Sequence, residues 1–249
     1  MPHTLFISDL HLTAQRRDIA QGLISLCQSP LARSADALYI LGDFVEFWIG
    51  DDTPTEGIDD AIDALGELGT HTPLFFQHGN RDFLIGRDFA RRCRFELLDE
   101  TVVIDLYGQD TLLLHGDTLC TDDVDYQQFR HMVRNADWQA DFLNKTLPER
   151  LEVVKQIRAK TQEAMTMKAS DIMDVNQNAV VETLEAFGVQ HMIHGHTHRP
   201  AQHTLTASGQ PATRTVLSDW DQHGNCLLVT PERQTLIDFD WQGSELAPY

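Results

Sequence analysis

Residues 37–43 read ALYILGD. A short run of mostly apolar residues, Ala37–Leu41, stops at a glycine and an aspartate. A run of this length bounded by turn residues predicts a buried strand. The same grammar recurs along the chain. HTLFIS (3–8) leads into Asp9-x-His11, and LFFQ (74–77) leads into His78-Gly79-Asn80-Arg81-Asp82. TLLLH (111–115) leads into Gly116-Asp117, and VQHMIH (189–194) leads into Gly195-His196-Thr197-His198. Working outward, Ile19–Leu31 and Ile58–Leu68 predict helices between the first three strands, and a further helix runs through Phe83–Arg92. Strands alternating with helices predict βαβ units and an α/β sandwich.

From Val102 the pattern changes. Val102–Leu106 and Thr111–His115 predict two strands joined by a hairpin over 107–110. Gln127 to Phe187 holds little Gly or Pro and predicts three helices, broken near Pro148 and Ser170. Short strands turning at Gly209 and Gly224 are expected from Ala201 to Trp241.

The composition excludes several classes. With 42 % apolar and 23 % charged residues in 249, a folded globular chain is expected. No stretch approaches the roughly 18 apolar residues of a spanning helix. The N-terminus lacks the basic and apolar regions of a secretory signal. Cys27, Cys93, Cys120 and Cys226 form no CxxC pair, which argues against disulfides or a thiolate zinc site and fits a reducing cytoplasm. A net charge of -19 argues against a nucleic-acid partner. No protein partner is evident. The stretch from Tyr126 to Lys168 runs against the trend, with eight basic residues (Arg130, Arg134, Lys145, Arg150, Lys155, Arg158, Lys160, Lys168) and five acidic ones. It reads as a solvated helical surface or as a cap over a site.

Ligands in open α/β sheets gather beyond the carboxyl ends of strands. The five motifs should therefore meet at one edge. Their donors are two carboxylates, one amide oxygen and four imidazoles, with no thiolate, a set that suits Mn, Fe or Zn. Two ions about 3.5–4 Å apart share a bridging ligand, and Asp43 is the natural bridge. Asp9, His11 and His198 would complete one shell. Asn80, His115 and His196 would complete the other.

These motifs resemble the calcineurin-like metallophosphoesterase superfamily. That resemblance implies a β-sandwich flanked by helices and a dinuclear metal centre. The longer blocks GDFVEFWIGDD (42–52), HGNRDFLIG (78–86), HGDTLCTDD (115–123), IMDVNQNAV (172–180) and HGHTHRP (194–200) are similar to its UDP-2,3-diacylglucosamine diphosphatase branch, in the lipid A pathway. The similarity runs from about Thr4 to Phe239. It implies one domain over 1–249, with a helical cap inserted at 122–170. It also implies water attack on the α-phosphate of UDP-2,3-diacylglucosamine, giving UMP and 2,3-diacylglucosamine 1-phosphate (lipid X). Two Mn²⁺ ions and a peripheral place on the cytoplasmic face of a Gram-negative inner membrane belong to the same expectation. Carried over residue by residue, the metal ligands are Asp9, His11, Asp43, Asn80, His115, His196 and His198. Catalysis falls to Asn80, Arg81 and His196. Substrate contacts fall to Asn80, Arg81, Asp123, Thr161, Lys168 and His196. Thr161 replaces an expected serine, and Met165 replaces an expected asparagine.

Arg81 stands where many superfamily members carry a histidine. A guanidinium keeps its proton, so it holds phosphate oxygens rather than donating a proton to a leaving group. That suits a phosphate leaving group, whose last pKa is about 6, and favours a P–O–P bond over a monoester. Hydrolysis of another nucleoside diphosphate compound, such as ADP-ribose, is the nearest alternative. A non-catalytic scaffold would have lost ligands, and all seven are present.

Overall fold

The structure, a computed structural model, describes residues 1–165, 174–244 and 246, and the side chains of all of these except 158–165. Two sheets face each other between helical layers. The first has the order β11-β10-β1-β2-β3-β4. Its strands are β1 (Thr4–Ile7), β2 (Ala37–Leu41), β3 (Leu74–Gln77), β4 (Phe95–Leu97), β10 (Gly224–Val229) and β11 (Gln234–Phe239). The second has the order β5-β6-β7-β9-β8. It comprises β5 (Thr101–Leu106), β6 (Gln109–Leu114), β7 (His191–His194), β8 (Ala201–Ala207) and β9 (Gln210–Val216). β1, β2 and β3 run parallel, as do β6, β7 and β9.

Period-two alternation builds two cores from each inner strand. Leu5, Ile7, Leu38, Ile40, Cys226 and Leu228 face the helices α1 (Arg17–Gln28), α2 (Pro30–Arg33), α3 (Asp59–Leu68) and α4 (Arg87–Cys93). Phe6, Leu41, Leu113, Ile193 and Leu227 meet between the sheets. Leu112, Leu114 and Met192 face away from the first sheet and pack on α8 (Gln177–Phe187). All four cysteines are free and buried. No helix among the described residues is long and apolar enough to cross a membrane.

The elements differ from expectation at identifiable points. The helix over Ile19–Leu31 breaks at Ser29, whose hydroxyl accepts from Ala32 N at 3.1 Å and opens α2 with Pro30 in its first turn. The helix expected from Phe83 begins only at Arg87. There the distant Asp51 carboxylate accepts from the N–H groups of Gly86, Asp88 and Phe89. The β5–β6 hairpin turns on two residues, Tyr107 (φ 57°) and Gly108 (φ 87°), as a tight primed turn does. The helical stretch holds α5 (Val124–Val133), α6 (Ala136–Leu143) and α7 (Leu147–Met165) before α8. Its first break falls at Asn135, which caps α6 through Asp137 N and Trp138 N. The break expected near Pro148 falls at 144–146, and Pro148 stands in the first turn of α7, where its missing N–H costs no helical bond. Ser170 lies outside the described residues.

Candidate metal centre

The strand ends do converge, and the loops that leave them are held in an uncommon backbone state. Asp9, His11, Asp43, His196 and His198 all have positive φ, between 50° and 69°. Asp and His tolerate this left-handed region better than most residues, and such strain clusters at functional sites. Backbone bonds lock the turns together. Asp9 N donates to Gly42 O at 3.0 Å, His11 N to Asp43 O at 2.9 Å, and Gly195 N to His115 O at 2.8 Å. His196 N donates to Asp9 Oδ2 at 3.0 Å. Gly79 and Gly195 are required by space, since a Cβ on either would collide with the Asp43 or Asp9 carboxylate.

The seven predicted donors come together. His198 Nε2 lies 3.3 Å from Asp9 Oδ1, and His11 Nε2 lies 3.9 Å from Asp43 Oδ2. His115 Nε2 lies 3.7 Å from Asp43 Oδ1 and 3.1 Å from Asn80 Oδ1. The His196 ring sits 5.0 Å from that of His115. Two trios have donor atoms within 4.8 Å of one another: Asp9, His11 and His198, and Asp9, Asp43 and His115. Asp9 belongs to both, so it sits as centrally as Asp43.

The site's charge suits cations. Asp9 and Asp43 are buried. Burial lowers the imidazoles of His11 and His115, yet the neighbouring carboxylates override it and raise both. Burial also opposes protonation of His198, but Asp219 and Asp9 lift it to about 10. His196 goes the other way, to about 4, through burial and the His115 charge. His11 Nε2 is buried with no hydrogen-bond partner. An orphaned imidazole nitrogen beside two buried carboxylates fits a divalent ion.

Several supporting residues lack a clear signal in the sequence. Buried Asp82 accepts from Phe44 N (2.7 Å) and Gly79 N (2.8 Å), tying the Asp43 loop to the Asn80 loop. Burial and the Asp43 charge lift it to about 6. Glu46 Oε2 is 3.1 Å from His11 Nδ1, and its Oε1 is 3.6 Å from Arg81 Nη1. Asp219 Oδ2 is 3.4 Å from His198 Nδ1, the orienting carboxylate that metal-binding histidines commonly have. Behind the last loop, Arg214 donates to His194 Nε2 at 3.1 Å, and His194 Nδ1 donates to Gly195 O at 2.8 Å.

The predicted substrate residues divide. Arg81 lines a cleft of about 290 Å³ with Asp9, His11 and His198. Asp123 caps α5 by accepting from Tyr126 N at 3.0 Å. Tyr126 in turn stacks on His196, 6.1 Å between rings, and its hydroxyl donates to Asp117 at 2.7 Å. α5 thus reaches the centre through a residue the motifs did not single out. Lys168 and the side chains of Thr161, Met165, Arg158 and Lys160 lie outside the described residues. The basic surface expected of the cap is partly internal. Arg150 is buried and pairs with Asp52 and Ile49 O, while Arg130 pairs with Asp117 and Glu100.

Residues 2–200 match the family model for calcineurin-like phosphoesterases. Two relatives carry the name UDP-2,3-diacylglucosamine hydrolase. One, from Salmonella typhi, is 49 % identical over 95 % of this chain and 98 % of its own length. The other, from Cellvibrio japonicus, is 48 % identical over 96 % of this chain and 99 % of its own.

Proposed function

The chain belongs to the calcineurin-like phosphoesterase family, and from that premise we propose that it hydrolyses UDP-2,3-diacylglucosamine at the pyrophosphate. The observation that carries the substrate is the near-half identity to hydrolases of that name, spread over nearly the full length of both chains. The products are UMP and 2,3-diacylglucosamine 1-phosphate, a step of lipid A biosynthesis.

Asp9, His11, Asp43, Asn80, His115, His196 and His198 are the proposed ligands of two divalent ions, Mn²⁺ in the cell. When bound, the ions supply Lewis-acid charge and activate the attacking water. Asp219 and Glu46 orient the His198 and His11 rings. Asn80 and His196, at the centre's α5 side, position the phosphoryl group. Arg81 neutralises its oxygens, and the departing phosphate needs no proton from the protein. Asp123, Thr161 and Lys168 orient the glucosamine half beneath the cap of residues 122–170.

The acyl chains lie along the apolar side of that cap, where Leu143 and Leu151 are 41 % and 48 % exposed. With Lys145 and Lys155 exposed nearby, the same face meets anionic lipid at the inner membrane, each cation contributing about 1 kcal/mol.

The test uses metal-stripped protein with Mn²⁺ restored, following UMP release from UDP-2,3-diacylglucosamine beside ADP-ribose and p-nitrophenyl phosphate. Fast Mn-dependent UMP release, with little turnover of the other two, is expected. Faster turnover of ADP-ribose would overturn the substrate, and no turnover of any would overturn the activity.

A further inference from the structure

The two flanks of the metal centre are built differently. On the α5 flank, Tyr126 covers His196, and the gap bounded by Asn80, Phe83 and Phe129 holds only about 10 Å³. On the opposite flank the cleft opens to about 290 Å³ beside His11 and His198. Each phosphate of a pyrophosphate held at the centre carries a substituent, and the cleft beside His11 and His198 has room for one of them. We propose that the cleft seats the nucleotide half of the substrate, and that Asp221 at its wall accepts the ribose hydroxyls. This rests on the UDP-sugar reading given above.

The lining decides which half fits. Asp9, Glu46, Asp219 and Asp221 contribute carboxylates, and Arg16 and Arg81 contribute guanidiniums. An acyl chain placed there would strip water from those charges without returning hydrogen bonds. The acidic lining also disfavours a bare phosphate far from the metals. A sugar diol suits it, because two hydroxyls donate to one carboxylate, as the ribose does in dinucleotide-binding folds.

Within the cleft the carboxylates are not equivalent. Asp9 and Asp219 are drawn to His198, and Glu46 lies between His11 and Arg81. Asp221 touches none of the proposed ligands. Its side chain is 64 % exposed, and Oδ1 is 3.0 Å from Arg16 Nη1. Its carbonyl accepts from Arg16 Nη2 at 2.6 Å. Asp18 holds the other edge of that guanidinium through both carboxylate oxygens. Arg16 is therefore pinned as a fixed post, which presents the Asp221 carboxylate in one place before ligand arrives. Preorganisation of this kind lowers the ordering cost of binding.

The test measures equilibrium binding to the full-length, Mn²⁺-loaded protein, with UMP and 2′,3′-dideoxyuridine 5′-monophosphate as probes. Wild type should bind UMP about tenfold more tightly than the dideoxy probe, since hydrogen bonds to a charged partner are the stronger kind. Asp221→Asn keeps the backbone bond to Arg16, and Asp221→Ala removes the carboxylate outright. Both should bring the ratio close to one, with affinity for 2,3-diacylglucosamine 1-phosphate unchanged. Equal binding of the two probes by wild type, or an undiminished ratio in both variants, would overturn the inference. UMP release from the lipid substrate is followed in parallel. If it persists while the ratio fails, the subsite assignment falls and the activity stands.

Discussion

His198 Nε2 stands 3.3 Å from Asp9 Oδ1, while its Nδ1 stands 3.4 Å from Asp219 Oδ2. Burial works against a charge here, but the two carboxylates win and hold the ring's pKa at about 10. At pH 7 the metal-free ring is therefore protonated. This folded-state value lies above the ordinary one near 6.5, so the stabilisation is complete below that value and is lost as pH rises through 10. A ligand imidazole must be neutral, so Mn²⁺ must expel that proton. Titrations at pH 7 in two buffers of unlike ionisation enthalpy should give different heats. The Mn²⁺ affinity should also rise with pH. Buffer-independent heats would contradict the linkage.

Gly79→Ala and Gly195→Ala should each disable the centre without unfolding the protein. The added methyl would sit inside the contact distance of the Asp43 or Asp9 carboxylate, and one of the loops must move. Losses of supporting contacts around metal ligands typically cost 10–100-fold in affinity, and about that loss of Mn²⁺ affinity is expected here. Competition against a chelating dye reads it, with far-UV circular dichroism as the check on folding.

Asp82→Asn keeps the side chain's shape but puts an NH₂ against one of two backbone donors, Phe44 N or Gly79 N. A stranded buried donor costs about 1–3 kcal/mol. The midpoint of urea unfolding should fall accordingly for metal-free protein. Mn²⁺ affinity should fall as well, because the same carboxylate joins the Asp43 and Asn80 loops. A variant as stable as wild type would show the two bonds to be dispensable.

Arg150 anchors α7 to the body through Asp52 and the Ile49 carbonyl. The Arg150 hydrogen bond holds the Asp52 carboxyl below its ordinary value. The pair's contribution is therefore present above the usual carboxylate pKa of about 3.9 and lost as pH falls through the depressed value. Arg150→Met should lower the melting temperature at pH 7, and the gap from wild type should narrow in acid. Being buried, Arg150 should contribute little to liposome association. Lys145→Ala with Lys155→Ala should weaken it on anionic vesicles at low salt. Unchanged association in that double variant would remove the membrane role from this face.

How far the chain could be read in advance follows from distance along it. The convergence of the five motifs is legible because each follows a buried apolar run, as Gly42-Asp43 follows ALYIL. The β2 and β3 limits match the structure residue for residue, since both are short, buried and sharply bounded. β4 was missed because three residues carry no period. The late start of α4 was hidden because its cap, Asp51, lies 35 residues before Gly86. Asp219 and Glu46 were hidden for the same reason. Nothing around either residue says that it will face a histidine, and only the meeting of separate loops makes it do so. Asp82 stands inside the Gly79-Asn80-Arg81-Asp82 motif, but one of its two acceptor roles depends on Phe44, 38 residues away.

The bond from His196 N to the Asp9 carboxylate joins residues 187 positions apart. A chain growing from a ribosome presents Asp9, His11, Asp43 and Asn80 early, on strands that can already pair. His196 and His198 arrive only when most of the second sheet has been made. Neither proposed ion can find its full set of donors before then. A prematurely terminated chain would therefore carry Asp9, Asp43 and His115 as a partial set of donors, without the late histidines that complete either proposed shell.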